Sequence, residues 1–131
     1  MDADAYAEIL TSFKLGGVIF RPVKFLPTFQ KYANQTCNGV FLHVVDRSKF
    51  EPVITGLAMV KTAFDMYPEE FSWKTADYEY AFNRNPFDVI AGTKKIRKSF
   101  ENGTSIKELQ KSWSEDERSF AELRKDFLLY H

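Results

Sequence analysis

Two prolines bracket the stretch of this chain whose folding is most tightly constrained. Between Pro52 and Pro68, Val53, Leu57, Val60, Phe64 and Tyr67 recur at intervals of three or four residues, the period of an α-helix. Pro52 suits a first helical position, where no amide hydrogen is needed, and Pro68 cannot continue the helix. Ile54, Ala58 and Met59 carry apolar surface so far around the cylinder that the pattern predicts a central buried helix over Pro52 to Tyr67. Such a helix needs cover on several sides, and the flanking sequence must supply it.

Upstream, Tyr6, Ile9, Leu10 and Phe13 share one helical face behind Asp2 and Asp4, which suit the positive end of a helix, and Gly16-Gly17 ends that segment. Val18 to Phe25 is β-branched and aromatic, but Pro22 cannot donate to a ladder, so an edge or bulged strand is expected. The polar, punctuated stretch Leu26 to Asn38 reads as a loop. Gly39 to Val45 is apolar at both parities, which predicts a second strand covered on each side.

Downstream, Glu69 to Arg84 is an aromatic connector with a short strand foreseen at Tyr78 to Phe82. Asn85-Pro86-Phe87-Asp88 has the cap, proline and acid of a short helix ending at Gly92, and Thr93 can cap another, from Lys94 to Asn102. Ser105 and Glu108 have capping-box spacing, and Ile106, Leu109, Trp113, Phe120, Leu123 and Phe127 form a stripe expected to be core. The result is an α+β fold: one domain over residues 1–131, a small β-sheet packed against several helices, and a long C-terminal amphipathic helix from Ile106 to Lys125.

Charge and composition narrow the chemistry. Lys+Arg and Asp+Glu number 18 each, so the chain lacks the basic excess of a nucleic-acid binder. No apolar run approaches the ~20 residues of a membrane span. Asp2, Asp4 and Glu8 stand where a secretory signal would be basic and then apolar, so a soluble chain without an export signal is expected, its compartment open. A single cysteine and two histidines offer neither a disulfide nor a zinc site, and no cofactor motif is present.

His43 reads as a hydrogen-bonded structural residue, Cys37 as a small buried filler, and Lys94, Lys95, Arg97 and Lys98 as a solvated face. Asp46, Glu79 and Asp88 are available carboxylates, but glycosidic chemistry needs two that flank one bond, and spacing pairs none of them. The informative segment is Arg21 to Tyr32, where Arg21, Lys24 and Lys31 interleave with Phe25, Phe29 and Tyr32. Rings stack on the apolar faces of sugars while cations pair with carboxylates, a mixture suited to an acidic carbohydrate.

The run Phe20-Arg21-Pro22-Val23-Lys24-Phe25-Leu26-Pro27-Thr28-Phe29-Gln30-Lys31-Tyr32, followed by Cys37-Asn38-Gly39-Val40, His43-Val44 and Asp46-Arg47, resembles the C-terminal part of the bacterial exo-β-N-acetylmuramidases. The likeness continues through Phe50-Glu51-Pro52-Val53, Tyr78-Glu79-Tyr80, Pro86-Phe87-Asp88, Ala91-Gly92-Thr93 and Ser112-Trp113 to Leu128-Leu129-Tyr130, essentially the whole chain. Phe41 stands where members often have Gln, and Lys94 where an Asp is common. The resemblance implies a glycoside hydrolase of two domains that releases terminal N-acetylmuramic acid from peptidoglycan fragments, with the sugar in the cleft between them. This chain would be the second domain, with an N-terminal Rossmann-like domain as its partner and source of the main catalytic acid; alone it would be inactive, its own catalytic residues unknown. Arg21, Phe29, Lys31 and Tyr32 are then expected to line the cleft, with Tyr78 and Tyr80 as further substrate contacts. A stand-alone binding or protein-interaction module using the same aromatic surface is the alternative.

Overall fold

A computed structural model describes residues 1–130, and the chain divides into two compact units that meet in sequence between Phe71 and Ser72. The first begins with helix α1, Ala3–Ser12, whose N-cap Asp2 accepts hydrogen bonds from the amides of Asp4 and Ala5, both at 3.1 Å. Strands β1, Val18–Phe25, and β2, Cys37–Val44, then pair antiparallel in a register running from Val18 opposite Val44 to Phe25 opposite Cys37. With two strands in the sheet both are edges, which is why Pro22 is accommodated within β1.

Alternation along β1 sends Phe20 to the buried face, where α1 contacts both strands. The opposite face carries Ile19, Arg21, Val23 and Phe25 beside His43, Phe41, Gly39 and Cys37. Here the expectation of a strand covered on each side fails: Phe41 is 52% exposed, and Val44 and Val45 also meet solvent. An apolar run at both parities reports hydrophobicity, not cover, and a two-stranded ribbon leaves one face open. Cys37 is half-buried at the start of β2, not a buried filler.

Helix α2, Pro52–Met66, follows and packs on α1. Its buried face is Ile54, Thr55, Leu57, Ala58, Lys61 and Thr62, so the apolar stripe is rotated from the expected one and Val53 is exposed. Lys61 is tolerated there because Asp65, one turn on, holds its ammonium at 2.8 and 2.9 Å. Tyr6 and Leu10 of α1 complete this core, with the Tyr6 hydroxyl donating to the Met59 carbonyl at 2.6 Å.

In the second unit the residues before Asn85 form no helix, and the strand foreseen at Tyr78 to Phe82 reduces to one bridge between Tyr78 and Ala81. Asn85 caps α3, Pro86–Ile90, by accepting from the Phe87 amide at 2.9 Å. Thr93 accepts from the Lys95 amide at the start of α4, Lys95–Glu101. The Trp73, Phe87 and Phe100 rings cluster with centroids 4.8–6.4 Å apart, and Phe100 is buried with Ile96, Ile106 and Leu109.

The capping box forms as expected, Ser105 accepting from the Glu108 amide and Glu108 from the Ser105 amide. The C-terminal helical segment is present as α5, Ile106–Lys111, and α6, Ser114–Leu123, followed by a 3-10 turn over Arg124–Phe127. Its stripe is not core throughout. Ile106 and Leu109 are buried and Trp113 half-buried, but Phe120, Leu123 and Phe127 are 63%, 59% and 76% exposed. Helical spacing shows that residues share a face; it does not show that anything lies on it. No helix among the described residues is long and apolar enough to cross a membrane.

Candidate functional site

The open face of the sheet gathers one cation and two rings. Arg21 on β1 sits directly opposite Phe41 on β2, with its guanidinium carbon 5.8 Å from the Phe41 centroid. Its Nε donates a 3.4 Å hydrogen bond to His43 Nε2, and the Phe41 and His43 rings lie 4.6 Å apart. His43 is thus the hydrogen-bonded residue expected. Four residues along β1, Phe25 lies over Gly39, its ring 3.6 Å from where a Cβ would be. The face therefore offers flat aromatic surface beside an exposed cation.

Beyond Phe25 the loop Leu26–Thr36 connects the strands. Gln30, Tyr32 and Asn34 hold φ of 62°, 68° and 60°, left-handed conformations that cost about 1–2 kcal/mol each for a residue with a Cβ. Amide-to-carbonyl bonds from Asn34 to Pro27, Ala33 to Gln30 and Gln35 to Tyr32, at 2.8–3.2 Å, keep that backbone closed. The side chains nevertheless point into solvent. Phe29 is 71% exposed, Tyr32 is also exposed, and the Lys31 ammonium lies 4.9 Å from the Tyr32 centroid. Strain retained around outward-facing rings is characteristic of binding segments.

The six expected contact residues fall into separate groups. Arg21 joins Phe41 and His43; Lys31 joins Tyr32, with Phe29 on the same loop. Tyr78 and Tyr80 belong to the second unit, on the tight turn in which Glu79 has a φ of 50°, and Tyr80 is 93% exposed. Phe41 and His43 were missed as partners of Arg21 because an eleven-residue connection leaves the strand register unspecified in the sequence.

The carboxylates are equally informative. Asp46 accepts from the Ser48 amide and hydroxyl and from Lys49, and these bonds, the Ser48 hydroxyl foremost, hold its carboxyl below the usual range. Asp88 receives a bidentate bond from Arg97 at 2.8 and 2.9 Å, which lowers its pKa despite burial. Arg97 also binds Glu101 at 2.8 Å, so within the basic run it is paired rather than solvated, while Lys94, Lys95 and Lys98 are exposed as expected. A general acid needs the opposite environment, one that keeps the carboxyl protonated. Asp46 and Asp88 hold their charge and shape the fold.

These features define an α+β domain that presents rings and cations while keeping Asp46 and Asp88 ionised. The chain belongs to the C-terminal family of the exo-beta-N-acetylmuramidase NamZ, whose family model matches residues 1–130 and so spans both units. It is 42% identical over 123 residues to the peptidoglycan beta-N-acetylmuramidase NamZ of Bacillus subtilis (strain 168), an alignment covering 94% of this chain and 28% of that protein. Its fold is similar to the crystal structure of a DUF1343 family protein from Bacteroides fragilis NCTC 9343, with a TM-score of 0.79 at 24% identity, over 100% of this chain and 33% of that one. The chain thus spans about a third or less of the length of either relative.

Proposed function

We propose that this chain is the cleft-forming C-terminal part of a peptidoglycan exo-β-N-acetylmuramidase, and that it holds a terminal N-acetylmuramic acid while residues outside it carry out the hydrolysis. The observation that carries this reading is the outward presentation of Phe29, Lys31 and Tyr32 on a strained but internally bonded loop, continuous in sequence with the Arg21 face of β1. Core packing needs none of those side chains there. A pyranose would lay its C–H face on the exposed rings, and a cation would pair with the lactyl carboxylate that distinguishes muramic acid from N-acetylglucosamine.

Hydrolysis requires one carboxyl group that donates a proton and another that attacks or activates water. The ionised, bonded states of Asp46 and Asp88 support placing the proton donor in an N-terminal Rossmann-like partner domain. The exposed Phe120, Leu123 and Phe127 edge supports the same assembly, since a contiguous apolar stripe in water favours a covering surface. Calorimetric titration of the intact enzyme tests the sugar site. Lys31→Ala should weaken N-acetylmuramic acid by about ten- to a hundredfold and N-acetylglucosamine little, the value of one charged hydrogen bond. Equal losses for both sugars would remove Lys31 from the site.

A further inference from the structure

The second unit contains a groove of about 620 Å³, a size typical of small-ligand sites, that none of the chemistry above uses. Two helical faces build it. On α4, Lys95, Lys98, Ser99 and Asn102 recur at three- and four-residue spacing, with Lys94 just ahead; opposite them Leu109, Ser112, Trp113 and Asp116 recur the same way across the junction of α5 and α6. The interruption of the helix at Ser112 and Trp113 places a half-buried indole in the wall, beside a floor of buried Ile96 and Leu109.

Charge in the groove is unbalanced. Lys94, Lys95 and Lys98 face one carboxylate, Asp116, and among the described residues none of the three lysines is in an ion pair. Arg97, one residue from Lys98 on the same helix, is instead locked to Asp88 and Glu101 and turns away from the lining. The sequence suggests four cations on one solvated face; the fold divides them into an ion-paired arginine and three lysines beside an aromatic wall, Lys94 within electrostatic reach of Asp88.

We propose that this groove is a second ligand site, separate from the sheet face, for a carboxylate-bearing saccharide. A sugar ring lies against Trp113, its hydroxyls reach the Ser99 hydroxyl and the Asn102 amide, and its carboxylates meet the lysines. An acidic peptide would satisfy the lysines but would leave the indole and the hydroxyl-bearing wall without a function, and a neutral glycan would leave the lysines unused.

The test is NMR titration of the whole chain with N-acetylmuramic acid, whose lactyl carboxylate is free, read at the indole N–H of Trp113. The chain has two tryptophans, and Trp113→Phe assigns the signal. The expected result is a saturable shift of the Trp113 signal with a Kd of about 1 mM or tighter, weakened about tenfold or more in the triple variant Lys94→Gln, Lys95→Gln, Lys98→Gln. Arg21→Ala should leave this Kd unchanged, which separates the groove from the proposed sheet-face site whether or not that site binds. An unmoved Trp113 signal, equal binding by the lysine variant, equal binding of uncharged N,N′-diacetylchitobiose, or tighter binding of a tri-glutamate peptide would each overturn the proposal.

Discussion

Gly17 is the position where a single methyl group should do the most damage. Its φ of +70° alone costs an alanine about 1–2 kcal/mol. A Cβ there would lie 2.1 Å from the Asp46 carbonyl oxygen and 2.9 Å from the Phe50 nitrogen, both backbone atoms that cannot step aside as a side chain would. Relief requires shifting the segment after β2, which is tied to Gly17 by the Val45 amide donating to its carbonyl at 2.9 Å and the Asp46 amide at 3.3 Å. Adding about 1–3 kcal/mol for overpacking and backbone adjustment gives about 2–5 kcal/mol, a large share of a small unit's stability. Gly56 is the control within the same unit: it sits mid-helix in α2 with nothing within 4 Å of a built Cβ, so Gly56→Ala should stabilise by about 0.5–1 kcal/mol. Both tryptophans lie in the second unit, so amide hydrogen exchange in α1 and α2 during urea denaturation is the appropriate readout. A Gly17→Ala variant within about 1 kcal/mol of wild type, alongside a stabilised Gly56→Ala, would refute the close approach and the chain path around β2 that follows from it.

Tyr6, which burial pushes from 10.0 up to about 12, stays neutral in the fold; its raised pKa gives stability that is complete below pH 10 and lost as pH rises toward 12, a loss that Tyr6→Phe should abolish in alkaline melts. That substitution should itself cost about 1 kcal/mol at neutral pH through the lost bond to Met59. Asp88, lowered by Arg97, contributes in the opposite sense: stability present above the ordinary carboxylate range and lost as pH falls through the depressed value, so Asp88→Asn should flatten the acid limb of tryptophan-monitored unfolding. Arg97→Ala, which strands a mostly buried carboxylate, should cost about 3–5 kcal/mol by the same assay. Replacing Phe120 and Phe127 together by Ser should leave thermal stability within about 0.5 kcal/mol, because both rings are already in water.

Local order was legible wherever one short segment determines its own ends. Asn85 and Ser105 cap the helices they were expected to cap, and Asp2, expected only at the positive end of α1, caps it, because an N-cap depends on side chains two or three residues from the amides they satisfy. Burial was legible only where neighbours are local. The α2 stripe was misplaced by part of a turn, since Lys61 at a buried position becomes acceptable only once Asp65 reaches its ammonium. The exposed Phe120, Leu123 and Phe127 show the same limit from the other side, for periodicity records which residues face one way and is blind to what they meet.

The candidate site divides along the same line. Phe29, Lys31 and Tyr32 could be singled out because their mixture of rings and charge within four residues is visible without a fold. The partnership of Arg21 with Phe41 and His43 could not, since it exists only in one strand register, and a shift of β2 by one residue would send Phe41 and His43 to the face opposite Arg21. The groove beside Trp113 needed more still: a break between α5 and α6, and an arginine drawn out of its basic run by Asp88. Composition offers residues of the kinds that the proposed acidic-sugar sites require. Which of them can act together is decided by pairing, and pairing is a property of the fold; the two proposed sites on this chain therefore rest on similar side chains without sharing any sequence signal.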